Sequence, residues 1–407
     1  MLLSIARKNI WRNKLRSLIV ILAITVGLFG GLYGSALMIG MTDQRIKLAI
    51  ANEISNIQIH HKDFILNKNL NDTIYDTQKL IAVLDTIHAI KAYSCRLKLV
   101  GMVTSASIGC GVLINGIDPV KEQTVTSLNK CIPDSMGNWF KENRRNQVLI
   151  GKILMEKLKI KLRSKIVVKF QDCYGNIATA AFKVSGVYKT ANSSFDETNI
   201  FVALDDLNPL VGFEGQRFHE TNIALKTDES NSRVVRMLQS SFPDLNIMGW
   251  KEIMPDLGMM NDMMLMWLYI IMVIILLALS FGIINTMMMS VLERTREIGM
   301  LMVLGMKRTR VFFMIMMESV MLSLTGGAAG MTISGLIITY TSKHGVDLSN
   351  FGKGMEEIGF SAIVYPMLGF DFYIALTILV IITGIASCIM PARRALKLKP
   401  VEAIRII

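Results

Sequence analysis

The chain is poor in charge and lacks the short motifs that mark enzymes and metal proteins. Only 19% of its 407 residues are charged and 52% are hydrophobic, which is too apolar for an ordinary soluble domain and too polar for a wholly embedded protein. No G-x-x-x-x-G-K-S/T sequence occurs, so the loop that cradles ATP phosphates is missing. The histidines show no H-E-x-x-H spacing, and no Ser/His/Asp set stands out. We therefore expect no intrinsic catalysis and no metal site.

Cysteine is also scarce and lacks a C-x-x-C motif. Four of the five cysteines, Cys95, Cys110, Cys131 and Cys173, lie in the middle of the chain, and Cys388 lies in the last apolar run. Disulfides and free thiols both remain open for the first four, because spacing does not reveal connectivity. The adjacent His60 and His61 are interpreted as a solvated pair at the end of a strand.

Long apolar runs are what the chain does have. Crossing a bilayer takes about 20 apolar residues, and four runs reach that length, at residues 18–41, 264–291, 311–340 and 372–390. The first run follows five basic residues but exceeds the length of a typical signal-peptide core. We therefore predict four membrane-spanning helices and an uncleaved first span.

The basic excess is confined to short segments beside these spans. Residues 1–17, 291–310 and 391–407 together hold 15 Lys and Arg against three Glu, whereas residues 42–263 carry a net charge of only +3. This pattern obeys the positive-inside rule and predicts that both termini lie in the cytoplasm of a multi-pass inner-membrane protein. A nucleic-acid partner is disfavoured, because no continuous basic surface interleaved with aromatic residues occurs.

The resulting organisation has a large extracytoplasmic domain between the first and second spans. Residues 42–263 are numerous enough to bury a core. Strand-like runs, such as residues 199–204, and helix-like runs, such as residues 77–86, both occur in them, which predicts an α+β fold. A Gly175-Asn176 pair predicts a hairpin turn. The other segments are an amphipathic interfacial helix at 1–17, a cytoplasmic loop at 292–310, an extracytoplasmic loop at 341–371 and a cytoplasmic tail at 391–407.

The cytoplasmic loop is the most informative stretch. Residues 290–310 read SVLERTREIGMLMVLGMKRTR, in which mixed charges are followed by an apolar ridge that starts at Ile298 and ends at Leu304. Such a ridge suits docking into a groove on a soluble partner. An ordinary loop with positive anchors is the alternative.

Three blocks resemble permeases of ABC transporters in the MacB/FtsX-like superfamily. They are Thr295-Arg296-Glu297-Ile298-Gly299 followed by Leu304-Gly305, the C-terminal segment from Pro391 to Arg405, and the N-terminal segment from Ala6 to Ser17. The resemblance implies that a coupling helix binds an ATPase. The residues it assigns to this coupling are Glu293, Thr295, Arg296, Glu297, Ile298, Gly299, Leu301, Leu304 and Gly305.

Residues of the middle domain are most similar to the lipoprotein-releasing (Lol) permeases. Asn115-Gly116-Ile117-Asp118-Pro119 and Phe195-Asp196 carry this resemblance. It implies release of lipoproteins from the inner membrane to a periplasmic carrier. MacB-like export of peptides, toxins or antibiotics is the alternative, and an FtsX-like signal relay is a third reading.

The resemblance also implies the partners and cofactors. Two ATPase subunits and a second permease, identical or paralogous, complete the expected complex in membrane lipid. ATP and magnesium are expected on the ATPase, and no cofactor is expected on this chain.

Small residues and one charge stand out within the spans. Glycines at intervals of four predict close helix packing within the chain or in a dimer, and they are Gly27, Gly30, Gly31, Gly34, Gly326 and Gly330. Glu318 lies inside the third span, where a charge is costly and is usually paired or interfacial. It is expected either to snorkel toward the basic loop or to relay motion.

The predicted topology can be tested with reporter fusions. A reporter that works only in the cytoplasm, fused after Ile407, is expected to be active, because the basic segments hold the C-terminus inside. The same reporter inserted after Asn71 is expected to be silent. An extracytoplasmic signal from the C-terminal fusion would overturn the assigned orientation.

Overall fold

The structure, a computed structural model, describes residues 14–74, 77–106, 108–141, 144–213, 215, 217–349, 354 and 359–396. The predicted interfacial helix therefore falls almost wholly outside the described residues, as does the tail beyond residue 396. The described chain divides into two compact units. The membrane unit holds the long helices, and the sheet domain comprises Asp43–Met260 and Leu348–Ala362.

The described residues form four long helices and a set of much shorter ones. In chain order they are α1 (Lys14–Ala49), α2 (Phe64–Asn67), α3 (Thr77–Thr86), α4 (Pro119–Val125), α5 (Lys152–Lys157), α6 (Ser193–Thr198), α7 (Leu204–Val211), α8 (Asn231–Ser241), α9 (Trp250–Ile253), α10 (Pro255–Glu293), α11 (Thr295–Val303), α12 (Arg308–His344) and α13 (Phe370–Leu396). A π-helical turn, Ile50–Ile54, extends α1.

The strands lie mainly between α1 and α10. They are β1 (Ile57–His61), β2 (Ile90–Thr104), β3 (Gly109–Ile117), β4 (Gln147–Gly151), β5 (Lys165–Gln171), β6 (Ile177–Tyr188), β7 (Asn199–Ala203), β8 (Glu220–Leu225), β9 (Leu245–Gly249), β10 (Val346–Asp347) and β11 (Ile363–Val364).

Four of the helices are long and apolar enough to cross a membrane, as the sequence predicts. These candidate spans are Ser17–Ile54, Pro255–Glu293, Arg308–His344 and Phe370–Leu396. Each predicted span falls inside one of them, and each helix is longer than the apolar run because polar turns extend its ends. The fold class, four membrane helices around a large mixed α/β domain, is confirmed.

Hydrogen bonds between helices supplement apolar packing in the membrane unit. Thr25 Oγ1 donates to Gly326 O at 3.2 Å, joining α1 to α12. Ser319 Oγ donates to Gly384 O at 3.0 Å, joining α12 to α13. Leu28, Val311 and Leu376 belong to one buried cluster. Hydroxyl groups are effective in such positions because lipid offers no competing partner.

The sheet domain contains a closed barrel. Its strands run in the order β3-β7-β4-β6-β5-β2, and pairing of β2 with β3 closes the ring. Inward-facing side chains alternate along each strand, as in β5, where Ile166, Val168 and Phe170 are buried and their neighbours are more exposed. These residues share one core with Leu97 and Ile114, which is how a small barrel fills its interior.

A second, antiparallel sheet shares strand β2 with the barrel. Its order is β2-β8-β1-β9, and the elements β1-α3-β2 and β8-α8-β9 give the βαββαβ order of a ferredoxin-like sheet. Ile57, Ile59 and Ile223 point to one face, where they pack with Leu80 of α3 and Leu238 of α8. The opposite face carries polar side chains, and the barrel is inserted between β2 and β8.

Most of the predicted elements of this domain form, with two differences. The hairpin turn lies between β5 and β6, where Gly175 adopts φ +87°. Leu204 was expected to end a strand, but it begins α7. Residues 341–371 were expected to form one separate loop. Instead, α12 continues to His344, β10 pairs with β11, and residues 348–362 join the sheet domain.

One buried carboxyl group makes the stability of the sheet domain depend on pH. Asp196 is 1% exposed and accepts hydrogen bonds from Thr190 N at 3.0 Å and from Thr190 Oγ1 at 2.7 Å. Burial raises the pKa of Asp196 to about 6, although the bonds from Thr190 oppose this shift. The folded state therefore keeps this proton at pH values where the unfolded chain has lost it.

We predict that Asp196→Asn removes part of the pH dependence of unfolding. Stability is expected to fall as pH rises from about 4 to about 6, because only the unfolded state releases its proton in that window. The asparagine variant should lack this contribution, which is on the order of 2–3 kcal/mol. Circular dichroism during denaturant unfolding of the full chain in detergent at a series of pH values measures it.

Asp244→Asn is the matched control, since the Asp244 side chain is 97% exposed. It should leave the pH profile of unfolding unchanged. Parallel pH profiles for the wild type and Asp196→Asn would contradict the assignment of this group.

Candidate functional site

The segment between α10 and α12 forms a short helix that lies against the membrane unit. Helix α10 ends at Glu293, the chain turns at Arg294, and α11 begins at Thr295. Thr295 Oγ1 donates to Leu292 O at 2.7 Å across this turn, which satisfies a carbonyl that the end of α10 leaves free. Helix α11 is thereby fixed to the last turn of α10.

One side of α11 is buried. Thr295, Ile298 and Gly299 are the buried residues, and Ile298 belongs to the same apolar cluster as Val291 and Ile315. Three of the predicted coupling residues therefore anchor the helix to the bundle. A docking partner does not reach them in this arrangement.

The other side of α11 is an exposed apolar surface. Met300, Val303 and Leu304 are 54%, 60% and 78% exposed, whereas Ile298 is 3% exposed. The predicted ridge from Ile298 to Leu304 is therefore wrong at its first residue, because the helical period turns Ile298 inward. Glu293, Arg296 and Glu297 are also exposed, and Leu301 is intermediate.

Gly305 ends the helix. Gly305 N donates to Met302 O at 3.2 Å, and Met306 N donates to Leu301 O at 3.0 Å. With φ +93° at Gly305, this is a Schellman motif, which requires a left-handed residue that glycine supplies at low cost. The glycine of the sequence motif thus sets where the exposed surface stops.

An ion-pair bridge connects α11 to α12. Arg294 Nε lies 3.1 Å from Glu297 Oε2, and Arg294 Nη1 lies 3.2 Å from Glu318 Oε2. The side chains of Arg294 and Glu318 are 13% and 8% exposed. Both pairing and a basic neighbour were expected for Glu318, and Arg294 provides them. A displacement of α11 would therefore act directly on the third membrane helix.

The predicted glycines fall into two groups. A Cβ atom added to Gly27, Gly31, Gly326 or Gly330 would lie within 3.2 Å of a side-chain or backbone atom of a neighbouring helix. These four glycines lie at helix contacts within the chain. The space around Gly30 and Gly34 is open for at least 4 Å, so the dimer proposed for this stripe stays a prediction.

Sequence reasoning missed a buried cluster of charges in the sheet domain. The fully buried Arg96 hydrogen-bonds Glu122 and lies 3.3 Å from Glu220 Oε1. Lys98 forms an ion pair with the other oxygen of Glu220. Burial alone would raise the pKa of Glu220, but Lys98 and Arg96 lower it to about 2. The available signal was two basic residues, Arg96 and Lys98, at alternate positions of the strand β2.

His60 belongs to this cluster, and its interpretation as solvated is wrong. Its side chain is 5% exposed and lies 3.7 Å from Glu220 Oε2, because β1 lies inside the sheet between β8 and β9. In the part of the chain that the structure describes, no group of three or more potential metal ligands occurs. Cys95, Cys110, Cys131 and Cys173 are free thiols, and burial raises the pKa of Cys131 to about 11.

The two motifs that resemble Lol permeases have structural roles in this fold. Asp118 caps α4, accepting from Val120 N at 3.0 Å. Gly116 lies so close to Leu207 that an added Cβ would be 2.7 Å from its Cδ2. Asp196 binds Thr190. These contacts explain the motifs without a carrier, so the Lol assignment stays a prediction.

Sequence comparisons identify relatives along most of the chain. Residues 269–400 match the family model "FtsX-like permease C-terminal". An uncharacterised ABC transporter permease of Methanocaldococcus jannaschii is 24% identical over 319 residues, which is 73% of each chain. The macrolide export ATP-binding/permease protein MacB of Escherichia coli K12 is 24% identical over 422 residues, 99% of this chain. The chain spans 60% of the length of that MacB.

Solved structures also resemble the chain over about half its length. The extracellular domain of YknZ from Gram-positive bacteria covers 48% of this chain and is itself fully covered, with 16% identity and a TM-score of 0.34. The periplasmic region of MacB from Actinobacillus actinomycetemcomitans covers 50% of this chain, with 92% of that region matched, 14% identity and a TM-score of 0.34.

The family match covers α11, α12 and α13, which hold the exposed surface and its anchors. The candidate spans and these relatives together support a protein of the bacterial inner membrane. Residues 269–400 thus form an FtsX-like permease domain, and the chain is homologous to MacB and to an ABC transporter permease of the MacB/FtsX superfamily.

Proposed function

We propose that the chain transmits force from ATPase subunits on one side of the membrane to its sheet domain on the other. The observation that carries this proposal is the exposed apolar surface of α11, Met300, Val303 and Leu304. Exposed apolar side chains at helical spacing suit a groove on a partner. Arg296 and Lys307 flank this surface, so charge can set the orientation of docking.

Two contacts connect α11 to the rest of the membrane unit, so that its movement can be transmitted. Ile298 packs into the bundle core, and Arg294 bridges Glu297 on α11 to Glu318 on α12. A partner that moves α11 therefore moves the start of α12. Two such ATPase subunits, carried on a separate chain with their ATP and magnesium, and a second permease complete the proposed assembly. Both termini then lie in the cytoplasm.

The work is proposed to be done on cargo outside the bundle. Apolar side chains from α1, α10, α12 and α13 form one cluster in the middle of the membrane unit. A substrate would have to disrupt this packing to pass between the helices, at a cost of several kcal/mol. We therefore infer that ATP hydrolysis moves the sheet domain and does not open a path for a substrate between the helices.

Export of MacB type is the cargo reading that the relatives favour. MacB, the relative that aligns with 99% of this chain, is named for macrolide export. Lipoprotein release to a carrier, the first reading from sequence, is less favoured, because Gly116, Asp118 and Asp196 of its motifs make structural contacts. It is retained as an outcome of the test below.

The docking surface is tested by Leu304→Asp. A carboxylate in an apolar groove is costly, and hot-spot positions of this kind are worth about 2 kcal/mol or more. We predict loss of at least 90% of the ATPase that copurifies with the chain, with normal membrane insertion. Leu66→Asp is the matched control, since Leu66 is 85% exposed in the sheet domain. Equal ATPase recovery from both variants would refute the assignment.

The same variant separates the cargo readings in cells. Cells in which the Leu304→Asp variant replaces the wild-type protein are expected to become more sensitive to macrolides or to toxic peptides. Their lipoproteins should still reach the outer membrane. Retention of newly made lipoproteins in the inner membrane would instead favour lipoprotein release.

The ion-pair bridge is tested by a double-mutant cycle. Arg294→Met is predicted to destabilise the membrane unit by roughly 2 kcal/mol, because it removes one partner of a buried pair. Adding Glu318→Gln should recover part of this loss, since it removes the carboxylate that Arg294 faces. Thermal unfolding in detergent measures the coupling energy. Strictly additive effects of the two substitutions would show that the bridge does not link α11 to α12.

A further inference from the structure

The sheet domain contains a cavity that the proposed coupling does not use. It has a volume of about 750 Å³, within the range of small-molecule sites. The polar face of the ferredoxin-like sheet forms its floor through Gln58, His60, Lys98 and Glu220. Segments around α2, the β5–β6 turn and α9 form its walls. All of these elements belong to the sheet domain.

The floor presents the ammonium group of Lys98, which has N–H donors beyond those that its ion pair uses. Lys98 is paired with Glu220, and Arg96 and Asn222 bind the other oxygen of that carboxylate. An ammonium group has three N–H donors, so this pairing does not exhaust Lys98. Lys98 also lines a second cavity of about 160 Å³ beside the first. Its side chain is 19% exposed, which leaves it accessible to a ligand.

His60 lies beside Lys98 with oxygen acceptors around its ring. Nδ1 lies 3.2 Å from His219 O, and Nε2 lies 3.1 Å from Gln58 Oε1. Gln58 Nε2 donates to Ile54 O at 2.9 Å, which turns Gln58 Oε1 toward the ring. A neutral imidazole donates from only one nitrogen. The hydrogen-bonding geometry therefore suits an imidazolium.

Burial opposes this protonated form more than the neighbouring charges do. Burial lowers the pKa of His60 to about 4, Glu220 acts in the opposite direction, and Lys98 and His219 lower it further. Arg96 lies behind Glu220, and Asp72 faces His219. A negative charge added next to Lys98 would offset the cations and raise the pKa of His60.

The exposed lining of the cavity contains both apolar and polar side chains. Ile65, Val100 and Tyr174 are 37%, 65% and 74% exposed, and Lys68, Asn69 and Glu252 are also exposed. The three apolar side chains come from three different segments, and none of them belongs to a buried hydrophobic cluster. Large apolar side chains that are exposed together around a cavity commonly mark a ligand-binding site, whereas scattered exposed ones do not. The cavity thus combines exposed apolar side chains with a floor on which the ammonium group of Lys98 is paired with Glu220, and Asp172 and Glu252 also line it.

We propose that this cavity binds an amphipathic organic anion, whose acidic group meets Lys98 and draws a proton onto His60 while its apolar body lies against Ile65, Val100 and Tyr174. The inference stands whether or not α11 couples to an ATPase. Binding then takes up a proton, so affinity increases as pH falls from neutral toward the raised pKa of His60.

A pair of dyes with the same aromatic body tests the charge requirement. The full chain in phosphatidylcholine nanodiscs is titrated with anilinonaphthalene sulfonate and with uncharged phenylnaphthylamine, and the signal of empty nanodiscs is subtracted. The sulfonate stays ionised throughout the pH range. It is expected to bind saturably and at least about 10-fold more tightly than the neutral dye, as a charge-assisted contact allows. Its affinity should rise at least about threefold from about pH 7.5 to about pH 5.5.

Variants locate the site. Val100→Trp should block the entrance and abolish saturable sulfonate binding, whereas Ile177→Trp, at an exposed strand position outside the cavity, should bind like the wild type. Lys98→Met should lose the preference for the anion. His60→Asn should keep binding at neutral pH within about threefold and lose the pH dependence, since asparagine does not titrate. Equal affinity for both dyes, or unchanged binding by Val100→Trp, would overturn the proposal.

Discussion

The guanidinium of Arg96 is the group on which the architecture of the sheet domain depends. It lies on β2, the strand that the barrel and the ferredoxin-like sheet share, and it binds Glu122 of α4 and Glu220 of β8. One cation therefore joins β2 and β8, which precede and follow the inserted segment, to a helix within that segment. A buried ion of this kind is expensive to desolvate and tolerates few alternative partners. We attribute the fixed relation between barrel and sheet to this requirement.

In the membrane unit, the apolar surface of α11 stays exposed and does not pack against the other helices. Helix α11 is too short to be stable alone. Ile298, the hydroxyl of Thr295 and the Arg294 bridge fix one side of it, and Gly305 ends it. Met300, Val303 and Leu304 are left facing outward as a consequence. The surface and its link to α12 arise from the same few residues.

The sequence predicted the parts of this arrangement that depend on local pattern. The four spans follow from apolar length, the hairpin between β5 and β6 follows from Gly175, and helix α3 is found where its periodicity placed it. The coupling segment was located by its motif. Which of its residues face the bundle was not predictable, because the turn at Arg294 sets the rotation of α11 and depends on contacts with α12.

Composition and hydrophobic spacing thus determined by themselves that this is a four-span membrane protein with a large α+β domain, since these properties need only neighbours in sequence. Tertiary structure alone decided that His60 is buried among charges, that Arg294 reaches Glu318, and that residues 348–362 join the sheet domain. It also decided that Lys98 and exposed apolar side chains such as Val100 line one cavity. These features bring together side chains from distant segments, and a periodic pattern carries no information about such pairs.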